Sequence, residues 1–206
     1  MKIEQALGIM SKSAKKYKDN LENQNILFIF GQMKDGQPDL TTATKIETLF
    51  LSENFMHLTG NANRRISANL FYRRALASIL TKQDYHFSKD GSSFKKLSVI
   101  ETLMNIDQAA RLIGDFNEHH VNLYTEKLVG TTNVGSMGFI TPRENPQMLV
   151  PNTLLKGDIR DLTKQPRHTI FAIYKKHRSE IQYTQHTYLH KFLDESQLSE
   201  ILLDKH

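Results

Sequence analysis

Chemistry-bearing side chains gather in the stretch Val150 to Asp161, VPNTLLKGDIRD, which brings the hydroxyl of Thr153 and the charges of Lys156, Asp158, Arg160 and Asp161 together behind a rigid Val150-Pro151 pair. Thr153, Lys156 and Arg160 are able to hold a phosphate through charge-assisted hydrogen bonds. Proline fixes its own φ and pushes the residue before it into an extended conformation. The sequence therefore predicts that Val150 ends a strand and that Asn152 and Thr153 begin a new element. A plainer reading makes Thr153 the N-cap of a short amphipathic helix with its charges in water, and spacing alone favours it because caps are common. His57 is the histidine that stands out. It lies between Met56 and Leu58 just before Thr59-Gly60, so it leaves a strand or short helix at a turn that glycine permits, with apolar neighbours limiting its rotamers. Held so, an imidazole serves as general acid or base near neutral pH. The competing reading is a structural histidine with satisfied hydrogen bonds.

The rest of the inventory narrows the chemistry. Zero cysteines exclude disulfides, thiol catalysis and Cys-ligated metals. There is no phosphate-binding glycine loop, dinucleotide fingerprint, His-Glu-x-x-His or nucleophile elbow. His119-His120 has Asp115 and Glu118 nearby, but adjacent side chains rarely converge on one ion, so neither a metal site nor a cofactor is expected. What remains fits metal-independent phosphodiester chemistry: a base deprotonates the ribose 2′-OH, an acid protonates the leaving oxygen, and fixed cations stabilise the phosphate.

Such groups need a scaffold. The 206 residues are 39% hydrophobic, enough for one substantial core, and 27 Lys and Arg against 22 Asp and Glu favour an anionic partner. Glu4, Lys12, Lys15 and Lys16 interrupt any signal-type apolar run and no stretch reaches the length of a membrane span, so a soluble intracellular protein is expected. Ile3, Leu7, Met10, Ala14, Tyr17 and Leu21 form one helical face. Asn25 to Met33 predicts a buried strand, Lys34-Asp35-Gly36 a hairpin turn, and Asp39 to Ala43 and Lys45 to Leu51 further strands. A helix capped near Ser67 runs to Lys82, and another spans Phe94 to Ile113 and stops at Gly114. Within the first of these, Arg73 and Arg74 point about 100° apart, so at least one is free for a ligand. Strands follow over Val121 to Val129, Val134 to Thr141 and His168 to Lys176, the last ending in the Lys175-Lys176 pair, with Glu180 to Tyr188 as its antiparallel partner; Gln197 to Leu203 closes as a short helix. The class is α+β, N-terminal helices and short strands followed by a mainly antiparallel twisted sheet. One domain over 1–206 is expected, with a helix and hairpin region at 1–53, a core at 54–188 and a C-terminal helix at 189–206.

NFMHLTG, LFYRRAL, IGDFN, LYTEKLVG, SMGFIT and VPNTLLKGDIRD together resemble a phage-associated family of the barnase, EndoU, colicin and RelE-like nuclease superfamily, over roughly Asn54 to Lys176. The resemblance implies a small metal-independent RNase of a phage or other mobile element, acting in the bacterial cytoplasm, with a barnase/RelE-like meander sheet carrying the active groups. His57 is similar to the histidine of the family's His-Leu-x-Gly motif, Lys127 to the lysine of Tyr-Thr-x-Lys-Leu-x-Gly, and Thr153 and Lys156 to Pro-Asn-Thr-x-Leu-Lys. On this reading His57 is the general acid or base, Lys127 and Lys156 stabilise the phosphate, Thr153 donates to a non-bridging oxygen, and Arg73, Arg74, Arg160, Lys175 and Lys176 hold the RNA backbone. Proteins of this appearance also occur among phage-borne inhibitors of bacterial immunity. A CRISPR guide RNA is therefore one candidate substrate, and the alternative is a non-catalytic anti-CRISPR protein that binds a CRISPR effector or another host ribonucleoprotein.

Overall fold

The run NILFIF carries no polar alternation, the pattern of a strand covered on both faces, and in the computed structural model every residue from Asn25 to Gly31 is buried. The structure describes residues 1–118 and 123–203. In chain order its elements are α1 (Ile3–Asn20), β1 (Gln24–Gly31), β2 (Met33–Lys34), β3 (Gln37–Pro38), β4 (Thr44–Leu49), α2 (Asn54–Thr59), α3 (Ala68–Leu76), α4 (Ser92–Leu103), α5 (Ile106–Ala109), β5 (Leu112–Asp115), β6 (Lys127–Gly130), β7 (Gly135–Ile140), β8 (Val150–Lys156), α6 (Ile159–Leu162), β9 (His168–His177), β10 (Gln185–Leu189) and α7 (Ser199–Leu203). This is the expected α+β architecture, with a barnase/RelE-like curled antiparallel sheet.

The sheet runs β4-β1-β9-β5-β6-β7-β8, with β10 also pairing β9. It curls until its end strands meet: the Leu49 amide donates to the Leu149 carbonyl at 2.9 Å and the Leu149 amide to the Glu47 carbonyl at 3.0 Å. One contiguous core fills the inner face, joining Phe28, Ile113, Val129, Phe139, Leu154 and Ile173 of the strands to Met10, Phe55, Phe71 and Leu103 of the helices. Tyr17 anchors α1 there, its ring edge-on to Phe55 and Tyr72 and its hydroxyl donating to the Leu51 carbonyl at 2.8 Å. The outer face has two smaller clusters, one of Leu27, Ile29, Phe171 and Tyr174 under Leu198, the other of Leu128 and Phe116 under Ile159 of α6. The hairpin turn follows from its chemistry, since Asp35 (φ 52°) and Gly36 (φ 79°) are both left-handed, as a tight primed turn requires.

Several expected boundaries move. Val150 begins a strand and does not end one: β8 continues through Pro151 to Lys156. Proline is tolerated because the β7–β8 register shifts between Gly138 and Phe139, opposite Pro151, and a bulge needs no amide there. Thr153 lies inside this strand and caps no helix; the cap of α6 is Asp158, whose carboxylate accepts from the Arg160 amide. The segment Asp39 to Ala43 is not a strand. It forms a 3-10 turn, Leu40–Thr42, which the Asp39 carboxylate holds by accepting from the Thr41 amide and hydroxyl. The helix expected from Ser67 to Lys82 begins at its Ser67 cap but ends at Leu76, followed by Ser78 at φ 58°. The helix expected from Phe94 to Ile113 divides into α4 and α5, and Leu112 to Asp115 is a strand. At the break Asn20 of α1 donates to the Met104 carbonyl and to the Asn105 side chain. Gly114 therefore ends no helix; Thr163 lies 2.9 Å from where its Cβ would be. The strand expected from Val121 to Val129 begins only at Lys127: Leu123 to Glu126 are irregular, and Val121 and Asn122 lie outside the described residues.

Two glycines provide a test of this packing. A Cβ at Gly130 would lie 2.6 Å from the Gly135 carbonyl oxygen, whereas one at Gly8, inside α1, meets nothing within 4 Å. Urea unfolding is expected to show Gly130→Ala losing about 2 kcal/mol or more. Gly8→Ala is expected to gain roughly 0.5 to 1 kcal/mol by removing backbone freedom from the unfolded chain.

Candidate active site

Strand register brings two motif segments and the start of β9 together on the inner face. Asp115 of IGDFN lies directly across from Lys127 of the TEKL segment, and Ile113 directly across from His168, the first residue of β9. Asp115 and His168 are thus diagonal neighbours, about 7 to 8 Å apart at the backbone. Lys127 Nζ is 2.5 Å from Asp115 Oδ1, with the side chains 35% and 60% exposed, so a ligand can reach both. The adjoining inner-face residues Ile113 and Phe139 are buried, which puts the polar group at the rim of the core.

The imidazole of His168 is held on two sides. Phe30 meets it edge to face with centroids 5.4 Å apart. The side-chain amide of Gln32 donates to the Arg167 carbonyl at 3.3 Å and lies 3.0 Å from His168 Nδ1. An amide nitrogen can only donate, so this contact calls for an accepting Nδ1, with the ring proton on Nε2. Burial and then Lys127 hold the imidazole below its usual pKa, with Asp115 acting in the opposite sense.

The other nominated residues lie elsewhere. His57 is on α2, which packs against β8 and α4; its carbonyl accepts from Lys96 Nζ at 3.1 Å. Partial burial and then Lys96 lower the pKa of the His57 ring, and burial brings Lys96 to about 8. Thr153 is 1% exposed, and its buried hydroxyl has no hydrogen-bond partner among the described residues. Its register with Gly138, next to Leu128, turns it to the outer face, away from Lys127. Lys156 is exposed and pairs with Gly135, four residues along β7 from the Phe139 that faces Lys127, a separation of about 13 Å along the strand. Of these four nominated residues, Lys127 belongs to the polar group.

Among the nominated RNA contacts, only Arg73 is exposed and outside any ion pair among the described residues. Arg74 pairs with Asp84, and Arg160 grips Asp158 two residues before it. Lys176 rests 4.4 Å over the Tyr183 ring and donates to the Ile181 carbonyl. Lys175 donates to the buried Asp107 at 2.6 Å and to the Asn20 carbonyl. Sequence reasoning passed over His168, Gln32 and Asp115. Asp115 was visible in the IGDFN motif, but nothing local in HTIF or FGQM reveals that His168 and Gln32 meet it. His119 and His120 lie outside the described residues, and among those described no group of three or more His, Asp or Glu side chains is placed to hold a metal.

Residues 9–191 match the family described as phage-Barnase-EndoU-ColicinE5/D-RelE like nuclease4. The chain belongs to this nuclease family. Neither the curated proteins nor the solved structures gave a match to it. The matched span takes in every strand of the curled sheet and all three residues of the Asp115, Lys127 and His168 group. In this nuclease no helix among the described residues is long and apolar enough to cross a membrane.

The placement of Lys175 gives a prediction. Asp107 is fully buried, and burial raises its pKa against the influence of Lys175. Lys175→Ala strands that carboxylate and is expected to cost about 3 kcal/mol in thermal or urea unfolding. A folded-state carboxyl pKa raised further favours folding at low pH and opposes it as pH rises, so the deficit should shrink on acidification.

Proposed function

We propose that this nuclease cleaves RNA without a metal ion, through Asp115, Lys127 and His168. The observation that supports this is their convergence from β5, β6 and β9: a carboxylate, an ammonium and an imidazole at a solvent-accessible rim. The Asp115 carboxylate takes the proton of a ribose 2′-OH, the 2′-oxygen bonds to the adjacent phosphorus, and the bond to the 5′-oxygen breaks. The imidazolium of His168 delivers a proton from Nε2 to that leaving oxygen, giving a 2′,3′-cyclic phosphate and a free 5′-hydroxyl. Lys127, drawn from Asp115 to the phosphate, offsets the charge that builds on the non-bridging oxygens and supplies the positive charge a metal would otherwise bring. In this reading the protein acts in the cytoplasm of a phage-infected bacterium, and a CRISPR guide RNA is one accessible substrate.

Gln32 sets the pH range. Protonation of Nδ1 turns it into a donor facing an amide nitrogen, so Gln32 must rotate to present its oxygen, and this opposes the imidazolium together with burial and Lys127. Activity that needs the imidazolium is lost as pH rises through a pKa below the usual 6.5.

Cleavage of labelled RNA in EDTA tests the proposal. His168→Ala and Lys127→Ala should each lose about 100- to 10,000-fold in turnover while melting near wild type. A strict magnesium requirement, or 5′-phosphate products, would rule the mechanism out. Full inhibition of a host ribonucleoprotein by the uncleaving His168→Ala protein would favour a binding inhibitor instead. Gln32→Glu, whose carboxylate accepts from Nδ1–H, should move the alkaline limb of the pH-rate profile upward; an unmoved limb would remove His168 as the proton donor.

A further inference from the structure

The helical side of the molecule carries a second surface that the cleavage chemistry does not use. Phe87 and Phe94 stack there with ring centroids 4.5 Å apart and planes 12° from parallel, and Phe94 remains 40% exposed. An exposed stacked aromatic is an open platform for another flat ring. Exposed cations lie on the same segments, Lys89 and Lys95 close to the two rings in the chain and Arg64 and Arg65 on the loop bonded to the residues before Phe87, and none forms an ion pair among the described residues. The one carboxylate in the Phe87 to Lys96 segment, Asp90, is occupied by the Ser92 amide.

The surface is built rather than loose. The loop bearing Arg64 and Arg65 is laced to the segment before Phe87: the Asn63 side chain donates to the Gln83 carbonyl at 2.6 Å, the Ala62 amide to the His86 carbonyl at 3.0 Å, and the His86 amide to the Asn61 side chain at 3.1 Å. The start of α4, which carries Phe94, is fixed by reciprocal bonds between Ser88 and Ser93 and by the Ser93 hydroxyl donating to the Gly60 carbonyl at 2.8 Å. His57 and Lys96 adjoin it through their own hydrogen bond. Such rigidity lowers the ordering cost of binding.

We propose that this surface binds single-stranded nucleic acid, a base stacking on Phe94 while Arg64, Arg65 and Lys95 contact the flanking phosphates, so that it holds the strand beyond the scissile bond. Aromatic stacking combined with a cationic track is the general means of gripping single strands without reading sequence. The helix that carries Phe94 packs on β8, which lies two strands from β6 and Lys127. A dinucleotide seated at Lys127 has no further residue to lay on the platform, whereas a longer single strand has. The inference rests on the RNA-cleaving reading above.

Fluorescence anisotropy with an uncleavable 2′-O-methyl single strand of about 12 nucleotides tests it. Phe94→Ala is expected to weaken binding about tenfold, Phe94→Tyr to keep it, and a duplex of the same sequence to be indifferent to either. Arg64→Ala combined with Arg65→Ala, two residues that are themselves exposed, should flatten the salt dependence by about 0.7 counterions per residue. Cleavage of a dinucleotide should stay at the wild-type rate in all these variants, so a failed centre and an unused platform give different results. Wild-type single-strand affinity in Phe94→Ala, or an unchanged salt slope in the arginine double variant, would overturn the proposal.

Discussion

The pairing of β9 on both sides is the constraint from which the rest of the molecule follows. From Thr169 to His177 it pairs with β1, while β10 lies against Ala172 to Lys175 and β5 against His168 and Thr169. That double pairing joins the N-terminal hairpin region to the later meander in one sheet, and it lays His168 diagonally against Asp115. At the other end the same strand delivers Lys175 to Asp107 and fixes α5 against the sheet. A polar pair is thus kept at each end of a strand whose middle, Ile170 to Tyr174, is buried. A register slip of one residue would exchange its faces and lose both pairs at once.

Charge divides along the same lines. Lys175 and Arg74 are consumed by carboxylates buried in the fold and Arg160 by the surface carboxylate of Asp158, whereas Arg64, Arg65, Lys89 and Lys95 are exposed and form no ion pair among the described residues. Lys127 stands between these cases, paired with a carboxylate that is itself 60% exposed. An ion pair in that position is weak enough for a phosphate to break, which is what a phosphate-stabilising lysine needs.

Much of this was legible from the residues alone. The first helix, the buried first strand, the Asp35-Gly36 hairpin and the antiparallel partner of β9 follow from local periodicity and turn chemistry. Pro151 misled because a proline-bearing segment looks like a boundary, and only the bulge opposite it shows that the strand continues. The apolar spacing from Phe94 to Ile113 suited one long helix, but Asn20 of α1 intervenes at the Asn105 turn. Lys127 was found through a motif, while His168 stood out only as the first residue of a strand. Its neighbours Gln32 and Asp115 lie 136 and 53 positions away in the chain, and no local pattern encodes a contact of that kind.

Nitrogen NMR of the imidazoles, recorded as a pH titration with and without a non-cleavable 2′-deoxy dinucleotide phosphate, tests the central claim most directly. The account predicts that His168 carries its proton on Nε2 at neutral pH and titrates below 6.5. Its pKa should rise when the dinucleotide is added, because a phosphate beside the ring favours the imidazolium. A His168 whose titration ignores the dinucleotide, while His57 responds, would contradict it.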